Sequence, residues 1–122
     1  MAFLLSRIRS FKPAFEGWWL VLRSQQNTWV HTVISLVAIG LAFWLKISAI
    51  EWTVILLTMA LVWVTEFLNT AIEVLVDLVS PDPHPLAKAA KDISAAAVLI
   101  SALAALIIGL IIFLPPLLQN FQ

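Results

Sequence analysis

The chain has 122 residues, 62% of them hydrophobic, and a mean hydropathy of +1.03, which places residues 1–122 in the membrane class as one all-α domain with no room for a separate soluble catalytic domain. Seven basic and seven acidic residues give a formal net charge of zero, so bulk electrostatics offers nothing to nucleic acid. Without cysteine there is no disulfide framework and no thiolate chemistry, and any bound metal would be a hard cation on oxygen ligands.

In chain order, the start runs straight into Arg7, Arg9 and Lys12, which is not the order of a cleaved signal peptide, so the first span is expected to be internal. Residues 6–26 mix Arg7, Arg9, Lys12, Glu16 and Arg23 with Phe11, Phe15, Trp18, Trp19 and Leu22, the pattern of an amphipathic helix lying in the membrane interface. Residues 29–45 form the first apolar run, near the lower limit for crossing about 30 Å of hydrocarbon. After a short polar turn at 46–51, a second helix is expected over 52–79, about 42 Å long. Pro81, Pro83 and Pro85 stop it and open a loop over 80–92. A third, uncharged run covers 93–114, closed by Pro115 and Pro116. Ala97, Ser101, Ala105 and Gly109 recur along it every fourth residue; they mark either a face for close helix approach or the ordinary abundance of alanine in membrane helices.

Arg7, Arg9, Lys12, Arg23, Lys88 and Lys91 fall on one side of these spans and Lys46 alone on the other. The positive-inside rule puts the N-terminus and the 80–92 loop in the cytosol and the C-terminus outside.

Function is expected on the second helix. Glu66, Asn69, Glu73 and Asp77 are three, four and four residues apart in an otherwise apolar run, so they share an arc of roughly 80°. In lipid each charge costs on the order of 2.5 to 3.5 kcal/mol, and the stripe must therefore face protein, water, a proton or a metal. Glu73 and Asp77 near the surface, with the Asn69 amide, suit Mg²⁺, which takes a few carboxylates together with substrate phosphates. Lys91 can neutralise a phosphate. Glu66 lies about 10 Å deeper, flanked by Val64 and Phe67, where a carboxylate can serve as a general base. Beyond it the same face turns apolar at Val62 and Met59, a boundary that fits a lipid with a hydroxyl head. The pattern points to phosphoryl transfer, with nucleotide and metal from the cytosol and the acceptor from the membrane. The chain has only Gly17, Gly40 and Gly109, so any nucleotide site is built from helix side chains rather than a glycine-rich loop. A small proton-coupled transporter with Glu66 as relay, a membrane assembly subunit, and a purely structural buried pairing are the competing readings.

The run from Glu66 through Asn69, Thr70, Glu73 and Asp77, the segment Ala87, Lys88, Lys91, Asp92 to Val98, and the start Ser10, Phe11, Ala14, Gly17, Asn27 and His31 resemble the bacterial diacylglycerol kinase and undecaprenol kinase family across nearly the whole chain. The resemblance implies a homotrimeric bundle, an integral membrane kinase using Mg·ATP, with composite active sites between subunits near the cytoplasmic face. It matches Glu66 to the catalytic base, Asn69 to a supporting catalytic residue, Glu73 to a magnesium ligand, Asp77 to a further acidic position, and Lys91 and Asp92 to nucleotide contacts, with Glu16 near the nucleotide. The acceptor is undecaprenol or diacylglycerol, and Asn27 with His31 tilts the resemblance toward undecaprenol.

Gln25 stands where the family often carries a metal-binding Glu, and Trp29 where many members have Arg; Gln25 keeps a carbonyl oxygen but loses a charge. His31 reads as an interfacial hydrogen-bonding residue, because no carboxylate or second His lies near it in sequence. His84 reads as solvated. Trp18, Trp19, Trp29 and Trp52 read as interfacial anchors, with Trp18 and Trp19 also placed to line a lipid entry path.

Overall fold

The computed structural model describes Met1, residues 7–24 and residues 26–121; Gln25 lies outside the described residues. The described residues are all helical apart from short turns and Met1. Residues 7–9 are helical and end in a turn at Ser10, whose N–H reaches the Arg7 carbonyl. There follow α1 (Phe11–Ser24), α2 (Gln26–Trp44), α3 (Ala49–Val79) and α4 (Pro85–Asn120). The last three are long and apolar enough to cross a membrane.

The turn between α2 and α3 is specified residue by residue. Lys46 takes a left-handed conformation at φ 51°, which lets Lys46 N–H bond the Phe43 carbonyl and Ile47 N–H the Ala42 carbonyl. This is a Schellman closure, and Ile47 packs on the buried cluster that contains Ala42, as that motif favours. Ser48 then caps α3 in a capping box: its Oγ accepts from Glu51 N–H at 3.3 Å, and its own N–H donates to Glu51 Oε2 at 2.7 Å.

At the other end α3 stops at Ser80, whose N–H still reaches Val76. The loop is shorter than the expected 80–92. His84 Nδ1 accepts from Leu86 N–H at 3.1 Å and Pro85 occupies the first helical position, where its missing N–H is not needed and its fixed φ is already helical. His84 is thus a helix cap, and Lys88, Lys91 and Asp92 stand on the first turns of α4 rather than in a loop. Nor does α4 close at Pro115 and Pro116, which lie inside the helix. A proline ring holds a helical φ, and in an apolar setting a helix remains the best place for the surrounding backbone groups; Asn120 Nδ2 donates to the Pro116 carbonyl at 3.1 Å just beyond.

α3 and α4 form the main antiparallel pair. Three polar rungs cross it: Lys91 to Asp77, Ser94 to Asn69, and Ser101 to Thr65. Ser101 of the small-residue row is buried in this contact, whereas Ala97 is exposed and Ala105 and Gly109 border a groove. The row is therefore only partly a close-packing face. The apolar core is small and sits toward the α2–α3 turn, with Ala42, Ile55, Ile112 and Phe113. Most large apolar side chains point outward, as they can where lipid or further copies replace water.

α1 docks on α3 through aromatic contacts. The Trp18 ring lies 5.5 Å from Trp63 and 5.4 Å, edge-on, from Phe67. Trp52 meets Phe43 at 4.8 Å, and Arg23 lies over Trp19. Trp18 and Trp52 thus pack within the chain.

Candidate active site

The α3 stripe is a gradient of burial. Glu66 is 2% exposed and Asn69 7%, Glu73 is half-buried and Asp77 exposed. Helical spacing keeps these residues on one face, and the packing of α1, α2 and α4 covers the deeper end.

Glu66 has a neighbour on each oxygen. Thr28 Oγ1 lies 3.5 Å from Oε1, and His31 Nε2 lies 3.6 Å from Oε2. Thr28 is fully buried and also reaches the Val21 carbonyl of α1 at 3.3 Å. One turn toward the surface, Asn69 Nδ2 donates to Glu73 Oε1 at 3.3 Å, while Asn69 Oδ1 accepts from Ser94 Oγ at 2.8 Å. Lys91 Nζ donates to Asp77 Oδ1. Asp92 pairs with Lys88 on its own helix. Asp77, Lys88, Lys91 and Asp92, with His84, line a cleft of about 670 Å³ at the α3–α4 turn.

On the opposite side of the buried carboxylate begins an apolar groove of about 400 Å³ between α2, α3 and α4. His31 and Ser35 stand in its wall, and Ile55, Met59 and Val62 carry the α3 face into it. A charged cleft, a column of carboxylate and amide, and an apolar groove therefore succeed one another along one helix face. From Asp77 to Glu66 the rise is about 16 Å.

The fold brings Glu66, Asn69, Glu73, Asp77, Lys91 and Asp92 to this face and its adjoining cleft. Glu16 is not brought there: it is exposed on α1 and pairs with Lys12 at 3.8 Å. Among the described residues no three His or acidic side chains converge on a metal-sized cage. That is compatible with Mg²⁺, which takes one or two carboxylates and leaves its remaining positions to water and phosphates; Glu73, with one oxygen held by Asn69, fits that donor set. Two neighbours and one partnership escaped the sequence reading. Thr28 is a small polar residue with no motif to mark it, and Ser94 is marked only by its seven-residue spacing from Ser101. His31 has a carboxylate partner after all, 35 positions away in sequence.

These features define a protein with three helices long and apolar enough to span a membrane and a carboxylate and lysine site placed between a polar cleft and an apolar groove. Residues 12–113 match the family described as Prokaryotic diacylglycerol kinase. The chain is 43% identical over 109 residues to undecaprenol kinase of Bacillus subtilis, covering 89% of each chain. It is 44% identical over 111 residues to diacylglycerol kinase of Synechocystis, covering 90% of this chain and 63% of that protein. To diacylglycerol kinase of Escherichia coli it is 40% identical over 75 residues, 62% of each chain. The chain belongs to the prokaryotic diacylglycerol kinase family. It is a lipid kinase of the diacylglycerol and undecaprenol kinase type, and the transporter and assembly-subunit readings fall away.

Proposed function

We propose that the protein transfers the γ-phosphoryl group of Mg·ATP to the hydroxyl of a membrane lipid alcohol, preferentially undecaprenol, with Glu66 as general base. The observation that carries this reading is the order along α3: the charged cleft at Asp77 and Lys91, the column from Glu73 to Glu66, and the apolar groove beyond His31. Nucleotide phosphates enter at the cleft, where Lys91, steadied by Asp77, faces their charge, and Asp92 lines the same space. The acceptor's hydrocarbon lies on the groove side and presents its hydroxyl at Glu66, which takes the proton as the oxygen attacks.

Glu73 and Gln25 are the residues that would hold Mg²⁺, whose charge neutralises that developing on the phosphates. Asn69 orients Glu73 from one side and adjoins the turn that carries Glu66. The preference for undecaprenol rests on the Bacillus subtilis undecaprenol kinase aligning over most of both chains and on the Asn27 and His31 pattern. The large outward apolar surface and the separation of Glu16 from the remaining site residues support a homotrimer in which a neighbouring α1 completes each nucleotide site. The charge distribution supports a site at the cytoplasmic face of the bacterial cell membrane.

The deciding experiment is purified protein in mixed micelles with labelled ATP and Mg²⁺, offered undecaprenol and diacylglycerol separately. Faster transfer to undecaprenol is expected; faster transfer to diacylglycerol reverses the acceptor assignment, and transfer to neither overturns the reading.

A further inference from the structure

A base that accepts one proton per turnover must also lose it. Phosphoryl transfer from ATP to an alcohol forms the new O–P bond, breaks the bond between the γ-phosphorus and the β–γ bridging oxygen, and releases the hydroxyl proton. On the reading above that proton resides on Glu66, whose side chain is 3% exposed. Water therefore has little direct access to it. Among the described residues two side chains meet the carboxyl oxygens, Thr28 and His31. A hydroxyl such as Thr28 does not store a proton near neutrality, whereas imidazole does.

We propose that His31 is the proton-relay residue of this site, taking the hydroxyl proton from Glu66 after each transfer and releasing it to interfacial water, so that the buried base is reset. The geometry suits the task. His31 Nε2 lies 3.6 Å from Glu66 Oε2, and its side chain is 15% exposed against 3% for Glu66. It stands four residues inside the span that begins at Asn27, about 6 Å of rise from its start, so the path to the interface is short. Among the described residues its surroundings offer no competing ion. From α3 Glu66 is the acid that faces it; the α4 residues sharing its groove, such as Ala102, Ala105 and Leu106, are apolar; on α1, Arg23 lies over Trp19 and Glu16 pairs with Lys12.

Thr28 supports both states of the base. Its single hydroxyl proton has two acceptors in reach, Glu66 Oε1 and the Val21 carbonyl. It can donate to Oε1 both when the carboxyl is ionised and when it carries its proton on Oε2, because Oε1 is an acceptor in either state. The site thus holds Glu66 with or without its proton while keeping Oε2 directed at His31.

The inference rests on Glu66 as base, and its test separates the two claims. Rapid-quench phosphorylation with labelled ATP and undecaprenol in mixed micelles is followed for His31→Gln, His31→Ala and Glu66→Gln. Both His31 variants should complete a first turnover per site at close to the unmodified rate, then settle to a steady state slower by about tenfold or more. Added imidazole should restore part of the steady-state rate of His31→Ala, with the KM for ATP unchanged. A first turnover that slows in step with the steady state in both variants, or a steady state that is not slowed, overturns the relay. Normal turnover by Glu66→Gln overturns the base assignment and the relay with it; an inactive Glu66→Gln beside unslowed His31 variants overturns the relay alone.

Discussion

Ser94 Oγ on α4 stands 2.8 Å from Asn69 Oδ1 on α3 and 2.9 Å from the Lys91 carbonyl, and donation of its one proton to Asn69 favours the amide orientation whose nitrogen faces Glu73. With Oδ1 held by a donor, Nδ2 is left to point at Glu73 Oε1, 3.3 Å away. Ser94→Ala removes that bias and leaves a buried amide oxygen short of a partner. A hydrogen bond of this kind contributes about 0.5–1.5 kcal/mol, so kcat/KM for Mg·ATP is expected to fall roughly three- to tenfold, read from initial rates at varied nucleotide. An unchanged value would show that Asn69 is oriented without Ser94.

Glu66 on α3 is covered by Thr28 and His31 of α2, with α1 behind them, and its surroundings are nearly closed. Glu66→Gln keeps the shape and the Thr28 contact but cannot take a proton. Turnover is expected to drop by at least about a hundredfold, the scale of general-base catalysis, while nucleotide binding persists. Isothermal titration with a non-hydrolysable ATP analogue, set beside the rate assay, checks both halves; near-normal turnover would assign the base elsewhere.

How much of this was visible beforehand depended on whether a relationship lies within one helix or between two. Glu66, Asn69, Glu73 and Asp77 were legible as one face because the helical repeat alone aligns them. Their burial gradient was legible too, since it follows the rise along α3. The partnership of His31 with Glu66 was not, because it depends on how α2 rotates against α3, and periodicity within either segment says nothing of that. Ser94 and Ser101 are seven apart, two turns on one face of α4, opposite Asn69 and Thr65; that pattern was a usable signal of the α3–α4 seam. The early start of α4 was misread although a signal was present: Pro85 after His84 is a helix opening with its cap, and its kinship to Pro81 and Pro83 made it look like a breaker.

Gln25 precedes α2 in the chain, and in the proposed site it supplies a neutral oxygen where a carboxylate would bind a cation more strongly. Gln25→Glu is expected to lower the Mg²⁺ concentration that gives half-maximal activity by several-fold, since hard divalent cations favour charged oxygen ligands. A magnesium titration at fixed ATP measures it. An unmoved midpoint would place Gln25 away from the metal.

Lys91 is half-buried and its ammonium is directed by Asp77 across the α3–α4 turn. Lys91→Met removes the positive charge proposed to meet the phosphates and should raise the KM for ATP by about tenfold or more, a charge-assisted hydrogen bond contributing about 1.5–3 kcal/mol. Asp77→Asn should raise it less, because Lys91 keeps its charge and loses only its guide. If the two variants raise KM equally, Asp77 itself contacts the nucleotide assembly. Initial-rate measurements on both variants and the double variant decide between these outcomes.

Thr65 Oγ1 and Ser101 Oγ lie 2.8 Å apart, and each hydroxyl also reaches a carbonyl of its own helix: Thr65 those of Leu61 and Val62, Ser101 that of Val98. Either hydroxyl can donate across the seam while the other donates to its backbone. This rung lies outside the column from Glu66 to Asp77, so its role is to hold α3 and α4 in register. Cross-helix hydrogen bonds in membranes contribute about 0.6 kcal/mol on average and up to about 1.7. Ser101→Ala and Thr65→Val should each cost an amount in that range, and the double variant less than their sum, because removing the second partner relieves the first. Reversible denaturation in mixed micelles reads the stability. Additive losses would show that the two hydroxyls act separately through their own helices.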